Sequence, residues 1–397
     1  MKTFGTIARG IKTPIIKAGD DLVKIVTDSL LNAVKNENIE LQNRDVIAIT
    51  EAVVGITEHN YASIDQIAAD IRLKFGKNAH IGVVFPTPYS RNRFSSILRG
   101  IARGCSKITL LLSYPSDEVG NALFDEELLY KHNINPWSDT LNEAEYQKYF
   151  GDQVHIFTGI NYIKYFRELI ENENCEAEII FSNRATAILD YTKQVLVANI
   201  HERDKTKRIL SNAGAEVIYK TDEILRESVN GSGYNSKYGL LGSNKATEDT
   251  VKLFPEHGDT LVVKIQEEIL RRTGKKLEVM VYGDGAYKDP VGKIWELADP
   301  VVSPAFTSGL IGTPNEIKIK YISDNKLKDL HGEELNEAMR NEIRNKSKNL
   351  KGTNETLGTT PRNYTDLLGS LADLTSGSGD KGTPVVLIQN YFDNYAD

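Results

Sequence analysis

Sulfur and tryptophan are scarce, with two cysteines, three methionines and two tryptophans among 397 residues. Cys105 and Cys175 lie far apart along the chain. They make neither a disulfide framework nor a Cys-x-x-Cys metal knuckle, so a small disulfide-stapled module is excluded. Both cysteines are expected to be small apolar fillers in a reducing compartment. Nowhere do about 18 apolar residues run together, the length a membrane-spanning helix requires. Near the start, Lys17, Asp20 and Asp21 arrive before any apolar stretch of signal-peptide length. The expectation is a cytoplasmic chain, neither exported nor membrane-spanning. There is also no large basic block: 48 Lys and Arg against 55 Asp and Glu leave a formal charge of −7. Phosphate neutralisation needs clustered cations, which argues against non-specific nucleic-acid binding as the main task.

What the chain does contain is ordinary globular composition, 40% hydrophobic and 26% charged. Its length is enough for two or three domains. A helix is expected after Asp20 or Asp21 as N-cap, with Leu22, Ile25, Val26, Leu30 and Val34 along one side. DVIAIT then reads as a buried strand and Ile64 to Phe75 as a second helix. The apolar runs IGVVF, KITLLL, VHIF, AEIIF and AEVIY, from Ile81, Lys107, Val154, Ala177 and Ala215, are separated mostly by helical patterns. Strands alternating with helices predict βαβ units and a mostly parallel sheet. This places a separate α/β module at roughly 79–222. After the Gly- and Asn-rich loop from Asn230, strands are expected at LEVMVY from Leu277 and IKIKYI from Ile317, with a helix at about 326–346. A polar Gly- and Thr-rich tract, either a substrate-ordered flap or a solvated linker, leads to the helix DLLGSLADL, the loop TSGSGDKG and the strand TPVVLI.

Most familiar chemical fingerprints are missing. SGSGDKGT has its lysine before a glycine, so it is not a P-loop, and there is no G-x-G-x-x-G after a strand, no G-x-S-x-G and no H-E-x-x-H. The seven histidines show no ligand spacing. Four weaker features remain. In the first, Gly377 and Gly379 let backbone N–H groups face an anion, with Ser376, Ser378 and Lys381 adding donors and charge; from this motif alone a flexible helix-to-strand turn is the favoured reading. In the second, a strand ends at Gly283, Asp284 and Gly285, a place suited to Mg²⁺ or Mn²⁺ bridging phosphates, or to a plain turn. The third is the turn at Gly242, Ser243 and Asn244, which can hold phosphate or ribose or be only a turn. The fourth is Arg91 and Arg93, near a helix start, which suit a carboxylate or phosphate. Arg99 and Arg103 on the same helix are expected to form a solvated basic face.

The ordered set GIKTPIIKAGDDL, RDVIAITEAVV, the GSN turn with VKLFPEHGDT, GDGAYKDP and DLLGSLADLTSGSGDKGTPVVLI resembles the coenzyme F420-0:L-glutamate ligase (gamma-glutamyl ligase) family. The resemblance covers about 1–60 and 235–397. It implies an α/β protein: a mixed α+β ligase core at 1–78 and 223–397, with the mostly parallel module at 79–222 as an insertion beyond the family's short form. It also implies a homodimer that uses GTP (or ATP) and Mg²⁺ or Mn²⁺ to phosphorylate a substrate carboxylate, which the amine of L-glutamate then attacks. Asp284 matches the family's metal-binding aspartate. Gly10, Ile11, Pro14 and Asn244 match its nucleotide-contacting segments, as does the loop of Ser376, Gly377, Ser378, Gly379 and Lys381. The chain departs from the pattern at Gly285, where the family has Thr, and at Leu241 or Gly242, where it has a second metal-binding Asp. Glu51, Ala52, Gly55 and Ile56 stand where it carries Ser-Lys pairs. Glu51 as a metal ligand, and Arg91 or Arg93 as substitute cations, are the compensations considered. Two further readings are a divergent nucleotide- or ligand-binding protein without ligase activity, and a cofactor-binding role for the central module, which lacks the glycine fingerprint of a dinucleotide crevice.

Overall fold

The computed structural model describes residues 3–86, 91–155, 159–283, 286–288, 295–297, 302–356, 359, 362–376 and 380–397, with backbone only at 91–93, 286–288 and 295–297. In chain order the elements begin with β1 (Ile7–Ile11), α1 (Leu22–Asn36), β2 (Val46–Thr50), α2 (Glu51–Thr57), β3 (Tyr61–Ser63), α3 (Ile64–Phe75), β4 (His80–Val84) and α4 (Arg91–Gly104). Next come β5 (Lys107–Leu112), α5 (Glu127–His132), β6 (Leu141–Asn142), α6 (Glu143–Phe150), α7 (Tyr162–Glu171), β7 (Glu176–Phe181), β8 (Gln194–Val197), α8 (Arg203–Asn212) and β9 (Val217–Lys220). The remainder is β10 (Asn244–Lys245), β11 (Thr250–Lys252), α9 (Gly258–Thr273), β12 (Glu278–Tyr282), β13 (Ala286–Lys288), β14 (Trp295–Leu297), β15 (Ala305–Phe306), α10 (Ile319–Asn325), α11 (Gly332–Arg344), α12 (Tyr364–Ser376) and β16 (Val385–Gln389). The fold is α/β, in two compact units: Met1–Val54, His257–Gly285 and Val302–Asp397 form one, Gly55–Glu256 and Ala286–Val301 the other.

The first unit is built on a mixed sheet of order β1-β16-β2-β12-β15, in which β2 and β12 are parallel and the other pairs antiparallel. Its central strands are buried except at Thr50, which ends β2, and alternation along them divides the core in two. Ile47, Ile49, Val279, Val281, Val385 and Leu387 pack against Leu22, Val26 and Leu30 of α1 and Val262, Ile265 and Ile269 of α9. Val46, Ala48, Met280, Tyr282, Val386 and Ile388 face Leu368 and Ala372 of α12. Helix α1 starts where the sequence places it, with the Asp21 side chain accepting the Lys24 N–H.

The second unit carries a sheet of order β6-β7-β5-β4-β8-β9, parallel except for β6. One face of this sheet is covered by a core containing Phe94, Leu98 and Ile101 of α4 and Phe166 and Ile170 of α7. The other packs on Leu210 of α8 and on Ala187 and Ile188. Helix α3 begins with a Ser63–Gln66 capping box and lies close along α4: a Cβ on Gly100 would stand 2.5 Å from Ile67. A small antiparallel sheet, β10-β11-β3, belongs to the same unit. The module at 79–222 lies inside this unit, which also takes in residues 55–78, 223–256 and 286–301.

Three local expectations are corrected. IKIKYI is not a strand: α10 occupies Ile319–Asn325, because Ile317, Tyr321 and Ile322 reach Met339 and Ile343 of α11 on a helical rather than an alternating period. Helix α11 accordingly covers less than the 326–346 expected. Val154 and His155 are outside any strand, and the rest of VHIF falls outside the described residues. The cysteines meet in space, with Sγ atoms 3.7 Å apart and both thiols free. The hydrogen bond to Cys175, and then burial, push the Cys105 thiol well above its ordinary range.

Candidate functional site

In the first unit, the strand register gathers much of what the sequence singled out. Ile11 of β1 pairs with Val385 of β16, Val385 with Ile49 of β2, and Ile49 with Val281 of β12. Strands β1, β2 and β12 therefore end, and β16 begins, along one edge of one sheet. Gly10 and Ile11 close β1, and Pro14 follows three residues later. Glu51 comes directly after β2 and is buried. The loop carrying Ser376 and Lys381 feeds β16.

Close contacts stitch this edge together. The Thr13 N–H donates to the Gly382 carbonyl at 3.3 Å, and the Thr50 N–H to the Pro384 carbonyl at 3.0 Å. Thr383 donates through Oγ1 to the Ser376 carbonyl at 2.8 Å, while its side chain lies 3.0 Å from where a Cβ on Gly10 would be. A side chain at position 10 would press on Thr383, so the glycine allows this strand end its close packing. Ser376 is buried and its hydroxyl donates to the Asp373 carbonyl; Lys381 is exposed. Gly377, Ser378, Gly379, Asp284 and Gly285 lie outside the described residues, although the strand leading to Asp284 ends at this edge, with Tyr282 opposite Thr50.

An open groove of about 1310 Å³ runs beside the end of β1, lined by Arg9, Gly10, Ile11, Lys12, Thr13 and Pro14 and by Lys24, Asp28, Ser29 and Asn32 of α1. The polar face of α1 was not legible as part of a site. Its residues follow helical spacing, and a solvated helix face shows the same pattern. Asp28 is engaged by Lys24 and Arg272, whose hydrogen bonds hold its carboxyl below the usual carboxylate range.

The remaining candidates belong to the second unit. Asn244 opens β10, half-buried, paired with Lys252 of β11. Beside it Ser243 is 1% exposed and its hydroxyl has no hydrogen-bond partner. Gly242 adopts φ 76°, and a Cβ there would be 2.2 Å from the Phe254 ring, so this turn has no room for the family's aspartate at 242. Arg91 and Arg93 lie on the first turn of α4, with side chains outside the described residues. Arg99 and Arg103 form no solvated face. Both grip the buried Glu173 carboxylate, and they reach Asp249 and Asp65 respectively. Among the described residues no three His, Cys, Asp or Glu side chains gather as a metal cluster, and no helix is long and apolar enough to cross a membrane.

The family model described as F420-0:Gamma-glutamyl ligase matches residues 10–390 of this chain. Comparison with curated proteins gave no match.

Proposed function

The chain belongs to the F420-0:gamma-glutamyl ligase family, and from that premise we propose that it is a cytoplasmic amide ligase dependent on GTP (or ATP) and Mg²⁺ or Mn²⁺, acting as a homodimer. It joins L-glutamate or a similar amino acid to a carboxylate acceptor through an acyl phosphate. One observation carries the reading: the segments around Gly10, Glu51 and Ser376, and the strand leading to Asp284, share one sheet edge.

The chemistry asks for what this edge offers. A nucleotide's phosphates need backbone that approaches closely, and the end of β1 from Gly10 to Pro14 lines the open groove where they would lie. Lys12 and Lys381, in segments tied by the Thr13 to Gly382 hydrogen bond, supply positive charge for the phosphoryl group. Hard oxygen donors fit the metal, and Asp284 with Glu51 would hold it. When bound, the ion neutralises charge on the phosphates. Asn244, Arg91 and Arg93 belong to the second unit, and the nucleotide role of the first rests on the family resemblance, the carboxylate or phosphate role of the other two on charge type alone. Amide formation then needs the acyl phosphate kept from water, so that the amine rather than water displaces phosphate.

The test is phosphate release from GTP or ATP with Mn²⁺ or Mg²⁺, L-glutamate and a set of carboxylate acceptors that includes F420-0. Release that depends on both amino acid and acceptor is expected. Asp284→Asn should abolish it with unchanged circular dichroism, since charge is removed and volume kept. Full activity in that variant removes Asp284 from the metal site. Nucleotide binding without release under any combination favours the second reading, a ligand-binding protein on the same scaffold, to which the departures at Leu241, Gly242, Ala52, Gly55 and Ile56 point.

A further inference from the structure

The parallel sheet of the second unit has a topological switch point. From β4 the chain moves to β5 and then β7 on one side, and from β7 it crosses to β8 and β9 on the other. In such sheets ligands bind outside the carboxyl ends of the two strands flanking the reversal, here β4 and β8. The turn after β8 holds three backbone N–H groups that converge on one carboxylate. Ile200 donates to Glu118 Oε2 at 2.7 Å, and His201 and Glu202 donate to Glu118 Oε1 at 2.8 and 2.7 Å. Helix α8 starts at the next residue and adds its dipole.

Glu118 is delivered from across the reversal. Its own N–H donates to the carbonyl of Pro86, two residues past β4, at 2.8 Å. Asp117, buried, accepts from the N–H groups of Val119 and Asn121 and so shapes the turn that presents it. Polar atoms near this turn are left without hydrogen bonds. Asn199, one residue before the three donors, is 7% exposed, and its Oδ1 has no hydrogen-bond partner. Thr221 Oγ1, just past the end of the neighbouring β9, is likewise buried without a hydrogen bond, and so is Oδ1 of Asp222, whose Oδ2 accepts from Arg203 Nε and Lys220 Nζ at 3.2 Å each. Val197 pairs with Lys220, so these residues leave adjacent strands at the same level. Buried polar atoms without partners are uncommon, and acceptors concentrated at a ligand-binding crevice ask for donors from outside.

We propose that this crevice binds a phosphate ester of a hydroxylated small molecule. The phosphate takes the three N–H groups now held by Glu118, and the molecule's hydroxyls donate to Asn199, Thr221 or Asp222. The Glu118 carboxylate is an internal stand-in that the ligand displaces by side-chain rotation. The site stands on the second unit alone and is independent of the ligase reading.

Titration with inorganic phosphate, ribose 5-phosphate and adenosine monophosphate tests it, followed by the amide resonances of Ile200, His201 and Glu202 and by calorimetry. Glu118→Ala should bind phosphate about tenfold more tightly than the unchanged protein, because the competing anion is gone. Ribose 5-phosphate should bind more tightly than inorganic phosphate. Adding Asn199→Asp to Glu118→Ala should reverse the gain by charge repulsion. If Glu118→Ala does not fold, Glu118→Gln serves, since it keeps the volume and weakens the competition. A folded Glu118 variant whose three amides do not move with any of these probes overturns the proposal and leaves Glu118 as a helix cap. Equal binding of phosphate and ribose 5-phosphate overturns the part assigned to the ligand's hydroxyls.

Discussion

Glu173 is the carboxylate whose loss should be felt most widely in the second unit. Its side chain is 7% exposed and accepts from Arg99 Nε at 2.7 Å and Arg103 Nε at 2.8 Å. Two guanidinium groups on one helix, four residues apart, would repel each other on a bare face, and the buried carboxylate between them turns that repulsion into a clamp. Glu173→Gln keeps the shape and removes the charge. Chemical denaturation should show a loss of about 2 kcal/mol, and an unchanged midpoint rejects the clamp. The sequence shows Arg99 and Arg103 at helical spacing but carries no sign of which carboxylate meets them. Glu173 lies 70 residues beyond Arg103, and only the packing of α4 on α7 brings them together. Cys105 and Cys175 were hidden in the same way: their distance along the chain said nothing of the contact between their sulfurs.

At the level of elements, legibility followed burial. Strands β2, β4, β5, β12 and β16 are mostly apolar because both faces are covered, as is β7 over its last three residues, and such runs were readable without tertiary knowledge. Helices α1, α3 and α12 announced themselves by spacing and, for the first, by a capping residue. The segment IKIKYI misled because its isoleucines satisfy two periods at once, and contact with α11 chose the helical one. The turn after β15 was not legible at all. There Gly309 leaves room for the buried Glu278 carboxylate of β12, whose Oε1 would lie 2.1 Å from an added Cβ, and Thr307 donates to the same carboxylate at 2.5 Å. Gly309→Ala should therefore strain the β12–β15 pairing. An expected cost of about 2 kcal/mol is checked by thermal unfolding, and a wild-type melting curve contradicts it.

For the whole molecule, the proposed chemistry rests on convergence within the first unit rather than on any one motif. Glu51 is the member of that edge whose placement is most informative, since it follows β2, the strand between β16 and β12, and is 4% exposed. If it holds the metal, Glu51→Gln should lower Mn²⁺-dependent nucleotide affinity by about tenfold or more, with nucleotide binding in the absence of metal little changed. Equal loss with and without the ion assigns Glu51 to the fold instead.

By itself the sequence determined most of the element pattern, the family and the residue types available for chemistry, because these depend on local periodicity and on the order of short motifs along the chain. Only the tertiary structure decided which of those residues share an edge. Register between strands hundreds of residues apart, as between Ile11 and Val385, is set by which faces are buried and by which backbone groups find partners. The same reason hid the Glu118 crevice: three consecutive N–H groups have no signature in side-chain chemistry, and they become a binding surface only when the order of parallel strands reverses beside them.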